Sequence, residues 1–200
     1  GMMFMHIGLD VDGVLVDTRT FQLREGKKYF RKFGLSAKKP DMFEVQDVFE
    51  CSKEQREKFW TKYIWRYCLR EPITKDAPRV VKKLREEGHE VIIITSRVHT
   101  TETGITGKLF RWMLKHWLKK NHLEYDDIVF CKEKGSGVNK RQVCKDKNID
   151  IMIDDTPENL YAVQEVCRVI CYSAAWNRDY HNFDYCRAND FDDVYLKIQE

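Results

Sequence analysis

Four β-branched residues in a row, Val91-Ile92-Ile93-Ile94, constrain this chain more than any other stretch. The run lacks the polar alternation of a half-exposed strand. Bounded by polar residues, it reads as a strand buried on both faces. Four more apolar runs look similar: Phe4 to Leu9, Ile128 to Cys131, Ile149 to Ile153 and Val169 to Tyr172. Helical patterns separate them. Strands alternating with helices imply an α/β fold, a parallel sheet covered on both faces.

The helical stretches carry their own punctuation. The first runs from about Thr20 to Phe33 and stops at Gly34, with Gly26 weakening its middle. Ser52-Lys53-Glu54-Gln55 is a capping box that opens a helix carrying Phe59, Trp60, Tyr63, Ile64 and Tyr67 on one face. Pro72 ends it. A helix near 78–87 buries Val80, Val81 and Leu84 and stops at Gly88. Residues 105–120 are predicted to bury Ile105, Leu109, Trp112, Met113 and Trp117, leaving Lys108, Arg111, Lys115 and Lys119 as a solvated face. A short helix covers about 139–147. Another follows Thr156 as N-cap and Pro157 at its first position, with Leu160, Val163 and Val166 inward. Asp190 caps the last helix, which contains Phe191, Val194, Leu196 and Ile198. The segment around Trp176-Asn177-Arg178 is irregular.

Two hundred residues suit one domain, or one core domain carrying a smaller insert, and 42% hydrophobic with 34% charged residues gives a real core and a well-solvated surface. A net charge of +3 excludes the strong basic excess of a dedicated nucleic-acid binder. No apolar run approaches the roughly 20 residues of a membrane span, and no signal peptide is evident. The seven cysteines are odd in number, scattered and free of C-x-x-C pairs, so the expected setting is the reducing cytoplasm. The histidines do not join them at zinc-ligand spacing.

Chemistry gathers at the strand ends, where parallel sheets place their functional groups. The first strand delivers Asp10 and Asp12 ahead of Gly13, the next Thr95 and Ser96, and the fourth Asp154 and Asp155. Right-handed crossovers bring these tips to one edge. Four carboxylates there call for a cation. Oxygen ligands shared with water and a substrate phosphate suit Mg2+ better than Ca2+.

The order Asp10-Val11-Asp12-Gly13-Val14, then Thr95-Ser96-Arg97, then a lysine before a helix, then Ile153-Asp154-Asp155 resembles motifs one to four of the haloacid dehalogenase (HAD) superfamily. The resemblance implies a Rossmann-like core with five parallel strands ordered 5-4-1-2-3. It places residues 1–17 and 89–200 in the core. Residues 18–88 become a helical C1-type cap, whose last helix, about 76–88, lies where it can pack on the core. It implies Asp10 as nucleophile and Asp12 as general acid/base. Dehalogenases of this superfamily lack the second aspartate, so phosphoryl chemistry is expected. Mg2+ would be held by Asp10, the backbone carbonyl of Asp12 and Asp155, with Asp154 in contact directly or through water. Thr95, Ser96 and a lysine would hold the phosphate. Lys140 is preferred, with Lys134, then Lys132 and Lys145, as alternatives. Arg97 would contact phosphate or ribose, or pair with a carboxylate.

The helical insert and the Ile-Asp-Asp-Thr-Pro-Glu-Asn run resemble 5'(3')-deoxyribonucleotidase-like members most. The expected substrate is therefore small and phosphorylated, a nucleoside monophosphate, and not a nucleic-acid polymer. Phe21, Phe59, Trp60 and Tyr63 would stack on a base or else form the core of the cap. Two other readings stand beside this one: a phosphatase for sugar phosphates or similar metabolites, and a protein that binds a phosphorylated ligand without turnover.

Overall fold

A computed structural model describes residues 3–200. Its centre is a six-stranded, all-parallel sheet ordered β3-β2-β1-β4-β5-β6. The strands are β1 (His6–Leu9), β2 (Glu90–Thr95), β3 (Asp127–Phe130), β4 (Ile151–Asp154), β5 (Arg168–Tyr172) and β6 (Arg187–Ala188). The first five take the expected order. The sixth corrects the expected count: it pairs through Cys171–Arg187 and Tyr172–Ala188 alone. Two residues carry no periodicity, so nothing in the sequence announces such a strand.

Alternation along the strands separates two cores. Ile7, Leu9, Val91, Ile93, Ile151, Ile153 and Ile170 face one way and meet α4 (Ala77–Glu86), α5 (Gly104–Lys120) and α8 (Phe191–Gln199). Ile92, Ile94, Met152, Val169 and Cys171 face the other way, against α6 (Ser136–Asp146) and α7 (Pro157–Val163). On α5 the buried stripe is Phe110, Met113, Leu114, Trp117 and Leu118, whereas Ile105 and Trp112 are exposed, contrary to expectation. Val166 is exposed too, because α7 ends at Val163. The three misplaced residues follow the geometry of the packed partner, which periodicity alone does not reveal.

Between β1 and β2 lie α1 (Thr18–Phe30), α2 (Val45–Phe49), α3 (Lys53–Arg70) and α4. Asp17 caps α1, and both arms of the Ser52–Gln55 capping box are formed. Gly34, at φ 69°, ends the 3-10 turn that continues α1. Gly26 sits in mid-helix because a Cβ there would lie 2.4 Å from the Phe49 ring. Tyr29, Phe30, Phe49, Phe59 and Tyr63 pack ring against ring between α1, α2 and α3, and the buried Phe21 packs on Trp60 and Tyr67 of α3. Each such buried ring contributes about 1.5–3 kcal/mol. Helix α4 instead lies on β2 and α8. The two connections into the insert bind each other: Thr74 N–H donates to Leu15 O (2.7 Å) and Thr74 Oγ1 to Val14 O (2.6 Å). At its far end α3 meets α5, where Trp117 Nε1 donates to Glu71 O at 2.7 Å.

Candidate active site

Parallel register sets the strand tips side by side. Leu9 pairs with Ile93 on one side and Ile153 on the other, and Asp10 N–H donates to Ile153 O at 3.1 Å. Asp10, Thr95, Asp154 and Asp155 therefore meet at one edge, all of them buried. Lys140, in the second turn of α6, reaches the same point. Its Nζ donates to Asp10 Oδ1 and to Asp154 Oδ2, each at 2.8 Å, and the residue is 1% exposed. Lys132, Lys134 and Lys145 are exposed. Burial works against the Lys140 ammonium, but the charges of Asp10 and Asp154 outweigh it and raise its pKa.

The adjacent carboxylates of β4 are treated differently. Asp154 Oδ1 accepts from the N–H groups of Asp155 (2.8 Å) and Thr156 (3.1 Å), from Thr156 Oγ1 and from Asn159 Nδ2. Burial raises its pKa, but Lys140 and these donors overcome that and hold it low. Thr156 thus spends its hydroxyl on Asp154 rather than on the end of α7. Asp155 Oδ2 accepts from the Trp176 indole at 2.9 Å, whereas its Oδ1 is buried without a partner among the described residues. Burial, then the charges of Asp10 and Asp154, push the Asp155 carboxyl well up. Burial and Asp154 likewise push Asp10 up to about 7, against the pull of Lys140.

An orphaned, buried carboxylate oxygen is costly, and a cation relieves it. Carboxylate oxygens of Asp10, Asp154 and Asp155 lie within 4.8 Å of one another. Gly13, at φ 87°, crosses directly above: a Cβ there would stand 1.9 Å from Asp155 Oδ2. Only glycine permits that approach. This hard, all-oxygen set fits a divalent cation such as Mg2+.

Asp12 stands apart. Its side chain is 24% exposed and pairs with the buried Arg97, whose Nη2 lies 2.6 Å from Oδ1. Tyr67 Oη donates to the same oxygen at 2.6 Å. Burial raises the Asp12 pKa, but Arg97 and Tyr67 more than reverse it. Thr95 is fully buried, and its Oγ1 accepts from Arg97 N–H at 3.1 Å. The Ser96 hydroxyl is engaged with Ser136 at 2.9 Å, in a chain that continues to Asn159.

The family model "5' nucleotidase, deoxy (Pyrimidine), cytosolic type C protein" matches residues 4–199. The chain belongs to this family. It is a HAD phosphohydrolase, a hydrolase of phosphomonoesters. No curated protein matches it. Among solved structures it is similar to a predicted phosphoglycolate phosphatase from Haemophilus somnus 129PT, with 14% identity, TM-score 0.65 and all of both chains covered. A predicted phosphatase from Clostridium acetobutylicum aligns at 14% identity and TM-score 0.68 over 98% of this chain and 99% of that one. A β-phosphoglucomutase from Clostridium difficile aligns at 12% and 0.61 over 98% and 96%. At these identities the likeness is one of fold.

The structure brings the motif residues of this nucleotidase-family chain together and adds some that the sequence did not single out. Tyr67 reads there as one more aromatic of an amphipathic helix. Trp176 and Asn177 fall in a segment without regular structure, yet Asn177, fully buried, donates to Asp155 O and Tyr172 O at 2.8 Å each and so fixes the loop that carries Trp176. Only Asn159 had a signal, as the end of the Ile-Asp-Asp-Thr-Pro-Glu-Asn run. Phe21, Phe59 and Tyr63 are buried within the insert and present no stacking face; Trp60, half-buried, stacks on Phe21 at 5.9 Å. They form core, which settles the choice between core and base platform for those three.

Proposed function

We propose a Mg2+-dependent phosphatase that works through an aspartyl phosphate on Asp10 and takes nucleoside monophosphates. The supporting observation is the clamp of Lys140 between Asp10 and Asp154, beside an Asp155 oxygen that lacks a partner. Asp10 Oδ attacks phosphorus in line as the bond to the leaving oxygen breaks. Asp12 gives that oxygen a proton. Water then attacks phosphorus and yields its proton to Asp12, and the electron pair of the broken P–O bond returns to Asp10. Lys140, the Thr95 hydroxyl and the Ser96 backbone N–H hold the phosphoryl oxygens, and their charge and dipoles stabilise the transferring group. Mg2+, held by Asp10, Asp155 and the Asp12 carbonyl with Asp154 behind them, would neutralise phosphate charge that otherwise repels the nucleophile.

Residues 18 to about 76 act as the cap in this reading, and α4, on β2 and α8, belongs with the core. The nucleotide assignment follows the family match. The burial of Phe21, Phe59 and Tyr63 favours the second reading, a sugar phosphate or similar small metabolite that needs no aromatic platform. A cytoplasmic location follows the family and the seven free cysteines. Among the described residues no helix is long and apolar enough to cross a membrane.

Purified protein should release phosphate from p-nitrophenyl phosphate with Mg2+ and lose this activity in EDTA. Asp10→Asn should be inactive; turnover surviving that change would sink the mechanism. A panel of nucleoside and sugar monophosphates then separates the two substrate readings by kcat/KM.

A further inference from the structure

The insert gives Asp12 a hydrogen-bond donor that no strand tip provides. Tyr67 Oη lies 2.6 Å from Asp12 Oδ1 and 2.7 Å from Thr18 Oγ1. A carboxylate only accepts, so the phenol proton points to Asp12, and Thr18 donates to the phenol oxygen. Arg97 Nη2 reaches the same Oδ1 at 2.6 Å, while its Nε spans Oδ1 and Oδ2 at 3.2 and 3.4 Å. The guanidinium carbon also sits 5.1 Å above the Tyr67 ring. Asp12 Oδ1 is therefore held twice at short range, and among the described residues Oδ2 has only the long contact. Tyr67, Arg97 and Thr18 are all buried, and the carboxylate they hold is the half-open member of the group.

We propose that Tyr67, delivered by α3 and backed by Thr18, is a positioning residue that, with Arg97, ties Oδ1 of Asp12 and presents Oδ2 as the oxygen that carries the proton. The inference rests on the reading of Asp12 as acid and base. It makes the insert part of the chemistry as well as a cover. An alkyl phosphate needs the Oδ2 proton when its P–O bond breaks, because an alkoxide leaves poorly. Nitrophenolate leaves without that proton. Both esters need Oδ2 again to take the proton of the attacking water. A misaligned Asp12 therefore slows the first half-reaction only for alkyl esters and slows the second for both.

Tyr67→Phe keeps the ring on Phe21 (centroids 4.9 Å apart) and removes only the hydroxyl. On whichever nucleoside or sugar monophosphate the wild type turns over fastest, itself an alkyl ester, we expect kcat to fall about 10–100-fold, the scale of a displaced acid/base group. KM should stay within about threefold, since binding is not the target. With p-nitrophenyl phosphate the variant should show a burst of about one nitrophenol per enzyme before slow turnover. Thr18→Val should reproduce this pattern more weakly, and Thr18→Ser should restore wild-type behaviour. Equal first-turnover losses on both esters, a loss carried by KM, or no loss at all would overturn the proposal. Asp12→Asn is run alongside. Full activity there removes the acid/base reading itself, whereas an inactive Asp12→Asn beside a wild-type Tyr67→Phe removes only the positioning role.

Discussion

Lys140 and Arg97 are two buried cations, each set against one aspartate of Asp10-Val11-Asp12, and they are embedded in opposite ways. Lys140 is enclosed with both its partners, all from the sheet and α6. Arg97 holds a carboxylate that is partly open, and shares it with a tyrosine from the insert. The first arrangement is a closed charge group with the lysine as its hinge: losing Lys140 leaves both carboxylates buried and unpaired, whereas losing either carboxylate leaves Lys140 with the other. The second lies at the seam between insert and core, where water reaches Asp12.

The largest effect expected from this contrast is in Lys140→Met. It strands Asp10 and Asp154 and should cost about 3–5 kcal/mol in urea unfolding, together with all activity. Arg97→Met leaves an Asp12 that water can solvate, and should cost about 1–2 kcal/mol. Equal losses would erase the distinction.

The two carboxylates of β4 sharpen it. Asp154→Asn gives up the charge that pairs with Lys140 and disturbs an oxygen with four donors, so it should lower stability by about 1–3 kcal/mol with or without Mg2+. Asp155→Asn removes a buried carboxyl whose ionisation its neighbours oppose and whose Oδ1 lacks a partner among the described residues. It should raise the melting temperature in EDTA and abolish any gain on adding Mg2+, by the linkage of binding to folding. A melting temperature lowered in EDTA would show that Asp155 is satisfied without a cation.

The smallest effect lies at the opposite edge of the sheet, where Arg85 and Asp126 form an ion pair that water reaches from outside. The Arg85 hydrogen bond, helped by its charge and by Val91 N–H, holds the Asp126 pKa low against burial. A depressed folded pKa contributes stability above the ordinary carboxylate value of 3.8 and loses it as pH falls through the folded value. Asp126→Asn should flatten the acid limb of a pH–stability curve by under about 1 kcal/mol and leave neutral activity alone.

Much of the site was legible because its chemistry sits at strand ends. Asp10, Asp12, Thr95, Asp154 and Asp155 each close or follow an apolar run, and parallel pairing leaves such tips nowhere to go but one edge. Lys140 was one of four lysines in the right interval; its burial, not its position in the chain, sets it apart. Tyr67 and Trp176 were not legible as site residues. The first is indistinguishable in sequence from its aromatic neighbours, and the second lies where no period exists.

The sequence alone determined the α/β class, the order of its elements, the capping of α3 and the set of acidic tips, because these depend on local periodicity and on residues adjacent along the chain. Tertiary structure decided the sixth strand, the exposed side of α5, the burial of Phe21, Phe59 and Tyr63, and the partners of Asp12 and Asp155. Those depend on which surfaces meet across stretches that no local period spans, 21 residues for Trp176 and Asp155 and 85 for Arg97 and Asp12. A hydrogen bond or an orphaned oxygen exists only once packing has excluded water from it.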